Sequence, residues 1–180
     1  MSADEPELIQ RAQRDPRAFG PLYDRYVRRI HAFVYRRTGD GTLAQDVTSA
    51  TFEKALQSLP RYRWRGLSFG AWLYRIARNE IVQAYRRDRT PTPLLDWQVL
   101  DAPAAPGRNG HEDALHAAFA VLPDADREVL TLRFFEDLDS AEVAEVLGVS
   151  VSAVYVRVHR ALKRLRTELE KLGQPEADHV

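Results

Sequence analysis

Apolar residues recur along the chain at helical spacing, and no alternating run is long enough for a strand. Phe19, Leu22, Tyr23, Tyr26, Val27, Ile30, Phe33 and Val34 recur at spacings of three and four. They predict an amphipathic helix that starts at Asp15-Pro16 and runs to about Arg37. Gly39-Asp40-Gly41 ends it. Leu43, Val47, Ala50, Ala55, Leu56 and Leu59 predict a second helix, stopped at Pro60. After the loop RYRWRGL (61–67), Ser68 is placed to cap a third helix that extends to about Arg87.

Residues 90–110 carry Pro91, Pro93, Pro103 and Pro106 with Gly107 and Gly110, without a sustained period, and predict a linker. Leu94, Leu95, Trp97, Val99 and Leu100 are too apolar for a plain spacer, so part of the linker is expected to dock on a lobe or a partner. Two helices are then predicted over 113–122 and 124–135, separated by Pro123. Asp139 with Glu142 three residues later spells a capping box. Val143, Val146 and Leu147 face a core, Gly148-Val149-Ser150 makes a tight turn, and Ser150 caps a last helix. A short helix, a turn containing Gly and a longer basic helix is helix-turn-helix grammar. The expected fold is all-α: two small helical domains (1–90 and 113–172) joined by a Pro-rich linker (91–112), with the helix-turn-helix in the second and a tail over 173–180.

At 100° per residue, Val151, Val154, Val158, Ala161, Leu162 and Leu165 fall within one arc of about 100°, the expected core face of the last helix. Ser152, Val156, Arg157, Arg160, Lys163 and Arg164 lie opposite, with Tyr155 and His159 on the flank. In a groove-binding helix the first turns, here Ser152, Ala153, Tyr155 and Val156, meet base edges, and later Arg and Lys meet phosphates. On the third helix, Arg75, Arg78, Asn79, Gln83, Arg86 and Arg89 share one side. Leu73, Ile76, Ala77, Ile81 and Ala84 take the other, with Trp72 at the edge near Asn79. Arg with Asn and Gln is a base- and phosphate-reading set. Glu80 falls toward the apolar arc, where only pairing would explain it. The preceding loop interleaves Tyr62 and Trp64 with Arg61, Arg63 and Arg65, which suits stacking on unpaired bases; a core plug is the alternative for either ring.

Charge sharpens this picture. The formal net charge is zero over 180 residues, but residues 1–90 hold 17 bases and 10 acids, whereas residues 113–180 hold eight bases and 13 acids. Within these halves, eight Arg face two acids between Arg61 and Arg89, and five bases face none between Arg157 and Arg166. Two basic strips are the footprint of a chain that touches a polyanion at two places; solvated helix faces are the plainer alternative.

Other chemistries drop out. Cys is absent, which excludes disulfides, thiolate metal sites and Cys nucleophiles. His31, His111, His116, His159 and His179 are scattered, and Ser68, Ser140 and Ser150 suit helix caps better than nucleophiles. No phosphate-cradling Gly loop is present. No enzymatic activity, metal or cofactor is expected. An acidic, polar start and the lack of an apolar run near the roughly 20 residues that span a bilayer argue for a cytoplasmic protein without membrane insertion.

Four stretches, AQDVTSATFEKAL (44–56), FGAWLYRIARNEIVQAYRR (69–87), LPDADREVLTLRFFEDL (122–138) and AEVAEVLGVSVSAVYVRVHRALKRLR (141–166), resemble the extracytoplasmic-function group of bacterial sigma factors, in family order. The resemblance implies binding to core RNA polymerase through Asp46, Val47 and Phe52. It implies recognition and melting of the minus-10 promoter element by the segment holding Tyr62, Arg63, Trp64, Arg65, Trp72, Arg75, Arg78, Asn79, Gln83 and Arg86. For the minus-35 element it implies Ser152, Ala153, Tyr155, Val156, Arg157, His159, Arg160, Lys163 and Arg164. It also implies a sequestering anti-sigma factor and a linker threaded toward the polymerase channels. The pattern departs from the commonest family form at Ser49 and Ala50 in the polymerase-binding motif. It departs again at Tyr155 and Val156 in the recognition helix, so the preferred promoter sequence is expected to differ from that of relatives. A free-standing helix-turn-helix regulator with a dimerising or sensing first lobe is the rival reading, and an RNA-binding module a third.

Overall fold

The computed structural model describes residues 5–64, 66–87 and 110–173. Helices and turns make up the described residues, with no strand among them. The first lobe holds α1 (Glu5–Arg14), α2 (Gly20–Thr38), α3 (Gly41–Ser58) and α4 (Phe69–Arg87); the second holds α5 (Gly110–Ala120), α6 (Asp124–Leu130), α7 (Ser140–Leu147) and α8 (Val151–Gly173).

Local signals fix most boundaries. Asp15 accepts from Arg17 N at 2.9 Å and caps a 3-10 turn, Pro16–Phe19, that leads into α2. Gly39 closes α2 with φ of 66°, a left-handed conformation that favours glycine, and Asp40 then caps α3 from Thr42 N and Leu43 N at 2.8 and 3.0 Å. Ser68 Oγ accepts from Ala71 N at 3.2 Å at the start of α4. A Cβ on Gly70 would stand 2.9 Å from Tyr26 Cε1, so the missing side chain lets α4 seat closely on α2.

Three departures from the expected elements are local. The helix α1 was not foreseen; it buries Ile9 and Ala12, and its Glu5 is held by the Tyr26 hydroxyl. The helix expected over 113–122 is displaced toward the N-terminus, as α5. The helix expected over 124–135 is α6 followed by a π turn, Thr131–Phe135. Residues 88–109 and 174–180 lie outside the described residues, and with them the docking expected of the linker, the position of Arg89 and the tail.

In the first lobe, Leu22, Ile30, Phe33 and Val34 of α2 are buried against Ala44 and Ala55 of α3 and Leu73, Tyr74 and Ala77 of α4. Phe33 and Tyr74 meet edge to face at 5.2 Å between ring centres. In the second lobe Val129, Leu130, Leu132, Val143, Val146, Val154 and Ala161 are buried. Each such Val, Leu, Ile or Phe side chain contributes roughly 1.5–3 kcal/mol by leaving water. The lobes are in contact: α7 packs on α4, and the buried apolar residues of both form one continuous cluster.

Candidate nucleic-acid and polymerase interfaces

The loop before α4 divides its aromatic residues. Gln13 Nε2 donates to the carbonyls of Leu59 and Tyr62 at 3.0 and 2.9 Å and ties the loop to α1. Tyr62 is half-buried between Phe69 and Trp72, with ring centres 5.4 and 4.8 Å away, and burial together with the Glu5 charge pushes its phenol up to about 12. It is a packing residue on this geometry, whereas Trp64 is 59% exposed. Gly66 has φ of 83°, the left-handed turn that redirects the chain after Trp64. Arg63 is exposed, and Arg65 lies outside the described residues.

Along α4 the expected polar face forms but is not uniformly open. Asn79, Gln83 and Arg86 are exposed, and an open groove of about 420 Å³ runs past Lys54, Arg61, Trp72, Asn79 and Gln83. Glu80, expected only to pair, is 4% exposed and accepts from Lys54 Nζ at 2.6 Å. Arg75 is turned to Glu145 of α7, and Arg78 Nε donates to Glu128 of α6 at 3.0 Å. A second, smaller groove lies between Arg61, Tyr62, Trp72, Arg75 and Glu145, at the seam of the two lobes. The structure thus brings Arg61, Trp72, Asn79 and Gln83 to one groove, while Trp64 lines neither groove and Arg75 and Arg78 are held by the other lobe.

The helix-turn-helix is built as its signals require. Asp139 Oδ1 accepts from Ala141 N and Glu142 N, both at 2.8 Å, while Glu142 Oε2 accepts from Asp139 N at 2.9 Å. Asp139 thus caps α7, and Ser140, expected as a cap, is its first residue. Gly148 turns left-handed at φ of 66°, and Ser150 Oγ caps α8 from Ala153 N at 3.2 Å. Ser152, Tyr155, Val156, Arg157, His159, Arg160 and Lys163 are exposed together on α8. Ala153 is half-buried in the cap turn, and Arg164, although exposed, bonds Asp126 at 2.5 Å. Val154 and Ala161 are buried as expected, but Val151 and Leu162, assigned to the core arc, stand 41% and 42% exposed because the rest of the lobe covers the arc from its Ala161 and Val154 side and leaves the opposite edge open.

On α3 the three expected polymerase contacts separate. Asp46 is exposed, but Val47 and Phe52 are 2% and 5% exposed, so their side chains are core rather than surface. Phe52 packs edge-on against Phe19 and Tyr23. The apolar period of α3 already contained Val47; burial of that stripe against α2 and α4 leaves Asp46 as the one presented side chain of the three.

The sequence reading missed the residues that join the lobes. Arg37 makes two bonds to Asp124, at 2.5 and 2.6 Å; burial opposes its charge, but the Asp124 bond and the Glu128 and Asp124 carboxylates outweigh that and raise its pKa. Glu136 is 2% exposed and bonds Arg36 and the Tyr74 hydroxyl, while its backbone carbonyl accepts from Arg29 at 2.7 Å. Burial, then the charge and hydrogen bond of Glu136, raise the Tyr74 phenol far above its ordinary value. The opposite formal charges of residues 1–90 and 113–180 were the available signal. Among the described residues, no group of three metal-ligating side chains comes together, and no helix is long and apolar enough to cross a membrane.

Two family models match the chain in turn. The Sigma-70 region 2 family matches residues 22–90, and the Sigma-70, region 4 family matches residues 112–165. The ECF RNA polymerase sigma factor BldN of Streptomyces coelicolor is 35% identical over 173 residues, covering 91% of this chain and 65% of its own length. The RNA polymerase sigma factor YlaC of Bacillus subtilis is 32% identical, covering 86% of this chain and 94% of its own. The chain belongs to the extracytoplasmic-function group of sigma-70 factors. Among solved structures, CnrH in complex with the cytosolic domain of CnrY matches this sigma factor at 28% identity and a TM-score of 0.67, over 93% of this chain and 97% of that one. The region 2 match covers the lobe that the rival reading gave to dimerisation or sensing, so this sigma factor is not read as a free-standing regulator.

Proposed function

We propose that this chain directs core RNA polymerase to promoters, reading a minus-35 element with α8 and opening and holding a minus-10 element with α4 and its preceding loop. The observation that carries this is the presence of two different DNA-suited surfaces on one chain. One is an exposed helix-turn-helix helix bearing Arg157, Arg160 and Lys163. The other is the groove past Arg61, Trp72, Asn79 and Gln83, with Trp64 exposed on the loop that precedes α4. A duplex-reading helix needs polar and cationic groups on one exposed side and no rings for unpaired bases. A strand-opening surface needs rings for bases that have left the stack, with cations along the backbone. Region 4 supplies the first and region 2 the second.

Within this reading Asp46, exposed on α3, faces polymerase, and Val47 and Phe52 hold α3 in shape behind it. Strand opening draws on stacking and backbone contacts that replace base pairing, so the chain itself makes and breaks no covalent bond. A sequestering protein partner is part of the proposal, supported by the likeness to CnrH, whose structure is that of a complex with the cytosolic domain of CnrY. The deciding experiment is co-elution of the purified chain with sigma-free core polymerase, which requires no promoter sequence. Comigration, reduced at least tenfold in affinity by Asp46→Arg, is expected. Absence of binding together with tight duplex binding by the chain alone would overturn the proposal.

A further inference from the structure

Base reading by α8 falls to very few side chains. Measured from Val154 and Ala161, its two fully buried residues, Ser152, Val156, His159 and Lys163 project within about 30° of straight outward at 100° per residue. Tyr155 and Arg160 stand about 70° to either side of that line, and Arg157 about 130° round from it. A major groove about 12 Å wide takes a helix of about 10–12 Å diameter, so outward residues meet its floor and flanking residues meet its walls, where the phosphates run. Such a helix enters by its first turns, here Val151 to Val158, which leaves Ser152 and Val156 for the floor. The Ser152 hydroxyl lies 3.0 Å from Ser150 Oγ, the oxygen that caps the helix, and is already engaged. Val156 is 49% exposed, with an apolar side chain at the centre of a cationic face.

That composition selects a ligand. Paired hydrogen bonds to guanine or adenine come from Arg, Lys, Asn or Gln, and none of these points outward in the two entering turns. The apolar feature of the major-groove floor is the C5-methyl of thymine. Against any other base edge Val156 would strip water from a donor or acceptor and return no bond, so it excludes wrong bases as well as attracting the right one. Arg157, Arg160 and Lys163, exposed around it, supply the charge that holds a duplex there. We propose that Val156 reads a pyrimidine C5-methyl group, so that the minus-35 element of this sigma factor carries thymine where α8 enters the groove. The proposal rests on the reading of α8 as the duplex-contacting helix and adds the chemistry that this helix selects.

The test removes one methyl at a time. Duplexes are enriched from a random-sequence pool by the full chain in complex with core polymerase, and in parallel by the same complex carrying Arg157→Ala and Arg160→Ala. The upstream sequence that the parent enriches and the variant does not is the one that depends on α8. Each thymine in it is then replaced singly by deoxyuridine, which keeps the pairing and lacks only the methyl. At one position affinity is expected to fall about three- to fourfold, the effect of burying one methyl, and that loss should vanish in Val156→Ala. At the same position 5-methylcytosine is expected to bind better than cytosine by a similar factor. Val156→Arg is expected to exchange the preference for guanine there by about tenfold. Both variants change an exposed side chain and are expected to melt as the parent does. Uracil tolerated at every thymine, or a uracil penalty that persists in Val156→Ala, would overturn the methyl contact while leaving α8 as the reading helix. Enrichment indifferent to Arg157 and Arg160 would remove α8 from DNA reading, and the proposal with it.

Discussion

The two faces assigned to DNA differ in how they are held. The α8 face is presented by a helix whose cap and turn are local, and Arg164, bonded to Asp126 of α6, is the residue of that face seen held from elsewhere in the chain. The α4 face is made by convergence: Gln13 from α1 fixes the loop, Tyr62 and Trp72 pack together, Lys54 from α3 neutralises Glu80, and α6 and α7 hold Arg78 and Arg75. The difference matches the tasks. Reading a duplex needs a rigid helix that reaches a groove, whereas opening one needs a surface that can be withheld until the strands are at hand.

The largest test of that contrast is Glu136→Ala. Removing one partner of a buried charged cluster leaves Arg36 and the Tyr74 hydroxyl without it, and such losses cost about 3–5 kcal/mol. Urea unfolding is expected to change from one transition to two, as the lobes lose their coupling. Arg157→Ala with Arg160→Ala, on an exposed face, is expected to leave unfolding within about 0.5 kcal/mol of the parent. A single transition retained in the Glu136 variant would show the lobes coupled by their apolar contacts instead.

Next in size is the effect of the α8 pair on DNA. If both arginines meet phosphates, their loss weakens duplex binding by the polymerase complex across sequences and lowers the dependence of log affinity on log salt by about two. If either meets a base, about 1–3 kcal/mol is lost at one promoter position only. Salt titration on two promoters that differ in the minus-35 element separates these, and unchanged binding on both would remove α8 from DNA reading.

The two rings of the loop sharpen the comparison within region 2. Trp64→Ala is expected to slow strand opening by about 1–3 kcal/mol with unfolding unchanged, because its ring is free for a base. Tyr62→Ala is expected to lower the unfolding midpoint, because its ring is wedged against Phe69 and Trp72. Equal effects of both variants on strand opening and on unfolding would erase the distinction. The sequence could not divide these rings: both sit among arginines at the same spacing, and contacts from outside the loop, the rings of Phe69 and Trp72 and the bond from Gln13 to the Tyr62 carbonyl, decide which is tied down.

That pattern runs through the molecule. The α7 and α8 pair was legible because Asp139, Glu142, Gly148 and Ser150 act on neighbours within four residues. Helix α1 was not, because it carries only a short apolar stripe and its charged Glu5 is buried by pairing with Tyr26 across the lobe. The π turn at Thr131–Phe135 shifts the helical phase where periodicity assumes it constant. Val47 and Phe52 show the limit of resemblance: a motif carries a role to a helix, and burial decides which side chains can perform it.

The smallest effect is a pH dependence that should separate the two faces again. Tyr62 has its phenol pushed up to about 12, and burial beside carboxylates raises Tyr26 and Tyr74 further, all three in the first lobe. A raised folded pKa means that above about 10, the ordinary phenol value, the unfolded chain binds fewer protons than the folded one, so stability falls as pH rises. The stabilisation is complete below that value and drains away on approach to the folded pKa of each ring. Tyr74 carries the proton that it donates to Glu136, so its loss sets a phenolate against a buried carboxylate and drives the lobes apart. Energy transfer across the seam, from a dye at Gln10→Cys on α1 to one at Glu170→Cys on α8, is therefore expected to decline from about pH 10 upward and to go on declining above the folded pKa of Tyr62, with helical signal from α8 persisting after the lobes separate. In Tyr74→Phe that decline should disappear from the seam and remain only in the unfolding of the first lobe, and an unaltered profile would transfer the alkaline response to Tyr26 or Tyr62.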